Sequence, residues 1–296
     1  MPRRKTERRT MMTTGPTKNP SALSNGEREK RMWEKMQKGE AIETVDEMSD
    51  EYYDNLTGLM LQQADSELAG AFGYVPWIMK APTTEEKLAV ANIVKDEVRH
   101  ARAMYRLLAD IGFDAESHVA MHDYTLRVEF KTDELKDKRA ADGKRVNIFY
   151  YTIDTWADFI MFQFCMDRGA GHQLEDVRKS SYGPWRREIE RIFKEETMHV
   201  SHGDFWVRKL AFDHSAKAEV QEALDRWYPR TMNIFGKPKT QSNTLYRKYG
   251  LKARDTDEVR KGFTDEVRLR CSECGLRLPE WKPNWEKMEE DGVISG

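Results

Sequence analysis

Cysteine is scarce, with three in 296 residues. So small and odd a number gives no disulfide framework in a chain this long and fits a reducing cytoplasm. Charge imbalance is missing too: 49 basic residues against 51 acidic ones leave a formal net charge of -2. The basic side chains are scattered rather than gathered in stripes, which argues against nucleic acid as a partner. No apolar run approaches the roughly 20 residues needed to cross a bilayer, so no membrane span is expected. The first 28 residues hold no apolar stretch of the kind a secretory signal needs. Gly-x-Gly-x-x-Gly and flavin signatures are lacking, and the Cys271-x-x-Cys274 pair has no second half. A zinc ribbon, an iron–sulfur cluster and a flavin within this chain are therefore not expected.

Strand-like alternation does not stand out, whereas helical periodicity does. From Asp50 to about Gly73, Tyr53, Leu56, Met60, Ala64 and Ala71 recur at helical spacing, with Pro76 just beyond. Thr83 and Glu86 resemble a capping box that opens a second helix, to about Gly112, with Val90, Ile93, Val94, Ala101, Met104 and Leu108 on one face. The stretch from about Phe113 to Val146 lacks sustained periodicity and reads as a long crossover with room for a short strand or helix. The run from Ile148 to about Gly171 is apolar on most faces and predicts a buried third helix. Pro184 suits the first turn of a fourth, which extends to about Phe212. Ala216–Tyr228 and Asp255–Arg270 look like two further amphipathic helices. The expected fold is all-α: a ferritin-like four-helix bundle, in which a long crossover joins two helix pairs, plus additional C-terminal helices. Residues 1–28, with Arg3, Arg4, Lys5, Arg8 and Arg9, read as a disordered basic tail, 29–270 as the domain and 271–296 as a C-terminal tail.

Glu97 and His100 lie three residues apart, as do Glu196 and His199. Each pair is separated by about 60° on its helix, so both members of a pair can reach one ion. The carboxylates fall on apolar stripes, where an unpaired charge would cost several kcal/mol and a divalent cation would compensate it. Two Glu-x-x-His helices, each accompanied by one carboxylate from another helix, form the dinuclear iron or manganese pattern of four-helix bundles. Glu67 lies 30 residues before Glu97 and is one such carboxylate. The third helix offers Asp158 or Asp167, which project about 180° apart; Asp167 precedes Glu196 by 29 residues and nearly repeats the first step. Trp156, Ile160, Phe164 and Leu174 share its face and are expected to wall a dry pocket. Asp96, Glu195 and Arg99 are placed to support the ligands from outside, Asp96 by hydrogen-bonding a ligand histidine. His202 is expected to pack or face solvent. Reduced carboxylate-rich di-iron sites bind dioxygen, but the same ligands suit ferroxidase, peroxidase or radical chemistry, with Tyr105 the nearest helical tyrosine for the last.

SELAG around Glu67, WIMKAPT, DEVRH, the stretch from TWADF through MDRGAG, SSYGPW, KEETMH and RWYPRTMNIFG occur in that order. With them, roughly residues 45–270 resemble the bacterial aromatic acyl-coenzyme A ring epoxidases. The likeness is nearer to the phenylacetyl-coenzyme A branch than to the benzoyl-coenzyme A branch. The resemblance implies Glu67, Glu97, His100, Asp167, Glu196 and His199 as ligands of two iron ions, manganese being the alternative metal. It implies a monooxygenase that epoxidises or hydroxylates an aromatic or unsaturated acid, held as a coenzyme A thioester. A separate NAD(P)H-dependent reductase would supply electrons, and a homo-oligomer or a related helical subunit would complete the assembly. The rival expectations are a non-catalytic subunit and an iron-handling protein.

Overall fold

The structure, a computed structural model, describes residues 18–121 and 146–283. Ser24 and Glu27 make a reciprocal capping box that opens α1 (Asn25–Gln37). Residues 18–28 are thus not the disordered tail expected from their polar composition. Buried Arg28 donates to the Met48 carbonyl and pairs with Asp50, tying α1 to the start of the next helix. That helix, α2 (Asp50–Lys80), runs through Pro76 instead of stopping before it. Proline removes one backbone hydrogen bond and costs about 3 kcal/mol. Burial of a large apolar side chain contributes about 1.5–3 kcal/mol, and Tyr74 and Trp77 on either side of the proline are both buried.

Thr83 caps α3 (Thr84–Asp110), but Glu86 does not complete the expected box, because its carboxylate bonds His202 instead. The crossover contains a short helix, α4 (Ala115–Met121), and its residues 122–145 lie outside the described chain. The third long helix starts later than its apolar run implies. Residues 147–150 form a 3₁₀ turn, and α5 (Trp156–Val177) opens at a capping box between Thr155 and Asp158. It also continues past Gly171. Pro184 sits in the first turn of α6 (Gly183–Ala211). Then follow α7 (Lys217–Met232), α8 (Gln241–Lys248), a short helix not expected from the sequence, and α9 (Thr256–Glu273). The last of these carries Cys271 into the core, where Cys274 and Leu276 join it, so at least residues 271–276 are packed structure rather than tail. Among the described residues there is no strand, only an isolated parallel bridge between Ile42 and Tyr182. No described helix is long and apolar enough to cross a membrane.

The four long helices pair as α2 with α3 and α5 with α6, and α3 also packs on α6. This is the ferritin-like arrangement. Gly203 lets α6 approach α5, since a Cβ there would stand 3.1 Å from the Phe164 Cα. The core divides into two apolar clusters. One holds Ala64, Met104, Leu174 and Ile192, and the other Ala69, Ile93, Met166 and Trp206. Each long helix passes from one cluster to the other, and Glu67, Glu97, Asp167 and Glu196 all fall at the change.

Candidate metal centre

Between the two clusters lies a buried polar layer. Glu67, Glu97, His100 and Glu196 bring one ligand atom each to within 4.8 Å of one another. Glu196 spans the two imidazoles: its Oε1 is 3.1 Å from His100 Nδ1 and its Oε2 is 3.6 Å from His199 Nδ1. Glu97 Oε1 stands 3.2 Å from His199 Nδ1, across the helix interface from its own partner His100. Glu67 Oε2 approaches His100 Nδ1 at 3.7 Å. Asp167 is buried beside this group, with Oδ1 accepting from the Tyr74 hydroxyl at 3.1 Å. The layer therefore has two ends. His100 and Glu67 mark one, His199 and Asp167 the other, and Glu97 and Glu196 reach both.

The electrostatics follow from burial. Glu97 is pushed well above its ordinary range by loss of solvent and then by the charge of Glu196. Burial, followed by Glu196, likewise lifts Asp167 to about 7. Glu196 goes the other way: burial opposes its charge, but His100 and His199 overcome it and hold the carboxyl at about 2. Burial favours neutral imidazoles, yet Glu196 and Glu67 raise His100 to about 11, and Glu196 and Glu97 raise His199 to about 12. So many ligand groups in one dry layer cannot all ionise without cations among them.

The donor set fits such cations. His100 Nδ1, His199 Nδ1 and Asp167 Oδ2 are buried, and none has a hydrogen-bond partner of good geometry. Carboxylate oxygens and imidazole nitrogens together suit iron or manganese. Glu67 and His100 can hold one ion, Asp167 and His199 the other, with Glu97 and Glu196 shared.

Support from outside crosses between helices. His100 Nε2 lies 2.7 Å from Glu195 Oε2 on α6, and His199 Nε2 is 3.7 Å from Asp96 Oδ2 on α3. Asp96 thus faces the histidine of the other helix rather than His100 on its own, though without a hydrogen bond to it. Arg99 Nη2 joins the two carboxylates, donating to Asp96 and approaching Glu195, each at 2.8 Å.

Asp158, the alternative to Asp167, completes the α5 capping box and accepts from Arg226 and Trp227, which accounts for its carboxylate without metal. Tyr105 donates to Asp65, which also bonds His118. Tyr74, seven residues beyond Glu67, is a site residue that the motifs do not mark. Two helical turns place it on the ligand face, and that spacing is the available signal.

A small cavity of about 90 Å³ opens beside Glu67, lined by Leu59, Phe149, Met166, Ala170, Leu174 and Ile234 among others. Of the four residues expected to wall the pocket, it includes only Leu174. Trp156 and Phe164 belong to the aromatic and cation–π contacts of the second cluster instead, because α5 turns that face toward α6 and α7. Glu196 also borders a polar cleft between α5, α6 and α9.

The family model described as phenylacetic acid catabolic protein matches residues 16–295. One of the subunits of 1,2-phenylacetyl-CoA epoxidase from Escherichia coli (strain K12) is 28% identical over 258 residues, which cover 85% of this chain and 77% of that one. Component B of benzoyl-CoA oxygenase from Aromatoleum evansii is 24% identical over 251 residues, covering 77% of this chain and only 50% of the relative. Among solved structures, an R2-like ligand-binding oxidase with an aerobically reconstituted Mn/Fe cofactor superposes with a TM-score of 0.50 at 13% identity. The match covers 86% of this chain and 88% of the oxidase, a likeness of fold.

Proposed function

Because the chain belongs to the phenylacetic acid catabolic protein family, we propose that it is the metal-bearing subunit of a di-iron monooxygenase acting on an aromatic acid held as a coenzyme A thioester. The observation that carries this reading is Glu196 spanning two buried imidazoles, beside a small, mostly apolar cavity of about 90 Å³. Iron is the metal of the proposal, with manganese the alternative that the same ligands admit. When bound, the ions supply the reductive binding of dioxygen.

The rest falls to the protein. Glu67, His100, Asp167 and His199 would hold the two ions, with Glu97 and Glu196 between them. Leu59, Phe149, Met166 and Leu174 orient an apolar ring against the Glu67 end and exclude water there. The reaction places one oxygen atom on the ring, as an epoxide or a hydroxyl, and releases the other as water. It therefore consumes two electrons and two protons. We assign the electrons to a separate NAD(P)H-dependent reductase and expect a related helical subunit or a second copy in the assembly. A cytoplasmic setting agrees with three buried free thiols. An iron-handling protein would need the same ligands but not the apolar cavity.

The test is metal analysis of protein expressed with iron, followed by turnover of phenylacetyl-coenzyme A with a reductase under ¹⁸O₂. Two irons per chain and one labelled oxygen in the product are expected. A single zinc, or no metal, would sink the proposal.

A further inference from the structure

The two carboxylates outside the Glu-x-x-His motifs are each preceded by a glutamine four residues earlier: Gln63 before Glu67 and Gln163 before Asp167. Four residues is one helical turn, so each amide sits over its carboxylate. On α2 the arrangement is complete. Trp185 Nε1 donates to Gln63 Oε1 at 2.9 Å, which turns Gln63 Nε2 to donate to Glu67 Oε1 at 3.1 Å. On α5 the same geometry recurs with another ring. His202 Nδ1 lies 2.7 Å from Gln163 Oε1, and His202 Nε2 lies 2.8 Å from Glu86 Oε2. The ring thus links Gln163 on α5 to the Glu86 carboxylate on α3. Gln163 is fully buried, and its Nε2 makes no hydrogen bond. Asp167 Oδ2 is unpaired as well. The Gln163 amide, one turn before Asp167, finds no partner of good geometry, yet it is close enough to hold the Asp167 carboxyl down against burial.

An amide without a partner in a dry layer is unfavourable to the fold, which calls for a role. Resting on the dinuclear reading above, we propose that Gln63 and Gln163 are paired positioning residues, one for each end of the metal centre, and that His202, held by Glu86, sets Gln163 as Trp185 sets Gln63. Each amide fixes the orientation of its carboxylate. Each end of the centre is then held independently of the other. The ends also differ in surroundings: Gln63, Glu67 and Trp185 line the apolar cavity, and Gln163 does not.

The experiment is titration of the metal-free full-length protein with Co(II), followed by calorimetry and visible absorption, so that neither dioxygen nor turnover enters. Wild type binds two Co(II). Gln163→Leu is expected to weaken one binding event by about 10–100-fold and spare the other. Gln63→Leu weakens the one that Gln163→Leu spares. His202→Phe reproduces Gln163→Leu, whereas His202→Asn, which keeps an N–H near the position of Nδ1, restores it. Wild-type affinity at both positions in Gln163→Leu, or equal loss at both, overturns the proposal. If Gln163→Leu does not fold, the two His202 variants decide: identical affinities in His202→Phe and His202→Asn overturn it. Fewer than two Co(II) on wild type overturns the dinuclear reading instead.

Discussion

Glu97 carries a buried carboxyl that the metal-free fold disfavours and that the proposed centre would use as a ligand. Burial and the neighbouring Glu196 push its carboxyl well above the ordinary range, so at pH 7 the metal-free protein gains little from its charge. Glu97→Gln keeps the shape and removes the titration. Thermal melts of the metal-free variant at pH 7 are expected at or above the wild-type temperature, while metal analysis finds fewer than two ions and turnover is lost. A large fall in the metal-free melting temperature would mean that Glu97 is a structural group. At this scale the sequence spoke clearly about Glu97, His100, Glu196 and His199, because a three-residue spacing has one meaning on a helix. The exchange of partners, by which Asp96 faces His199 and Glu195 faces His100, was not legible. It depends on how α3 lies against α6, and no spacing within one helix encodes that. Tyr74 and the two glutamines were within reach of the same helical arithmetic.

Between elements, a polar contact joins the apolar packing that holds α9 against α5. Arg168 on α5 donates to Glu266 on α9 at 2.9 Å, and His172 Nε2 lies 2.8 Å from the same carboxylate. His172 and Arg168 together lower Glu266 from 4.5 to about 2 against its burial. A depressed carboxylate stabilises the fold above its unfolded value and loses that contribution as pH falls toward the folded one. The difference in melting temperature between wild type and Glu266→Gln is therefore expected in full at pH 7 and to shrink from about 4.5 downward. Solvent reaches this carboxylate, so the difference at pH 7 is expected to be modest. A difference that stays constant from pH 7 to 3 would show that Glu266 acts through packing alone. Helix type was readable throughout the bundle, but boundaries followed tertiary demands. Proline at 76 marks a stop unless buried neighbours outweigh it, as Tyr74 and Trp77 do. Apolar residues 148–153 look helical by composition, yet the cap at Thr155 begins the helix later. The Ser24–Glu27 box opening α1 was present in the sequence and was obscured by its polar surroundings.

For the molecule as a whole, the two apolar clusters leave the metal layer between them and the cavity at its Glu67 end. In the proposed reading, that placement sets the substrate against the Glu67 end of the centre. Ala170 lines the cavity one turn past Met166 on α5. Adding a ring to a filled core costs about 1–3 kcal/mol through strain, but a side chain that enters existing space avoids most of that cost. Ala170→Phe is expected to keep two metals and nearly the wild-type melting temperature. Its KM for an aromatic thioester should rise and its kcat/KM fall by about tenfold or more, since a ring that fills the pocket displaces the ring that should occupy it. Steady-state kinetics with metal analysis on the same preparation checks this. Unchanged kcat/KM at full metal content would place the substrate elsewhere, with the polar cleft at Glu196 the next region to probe; loss of metal would show that cavity and centre are one packed unit.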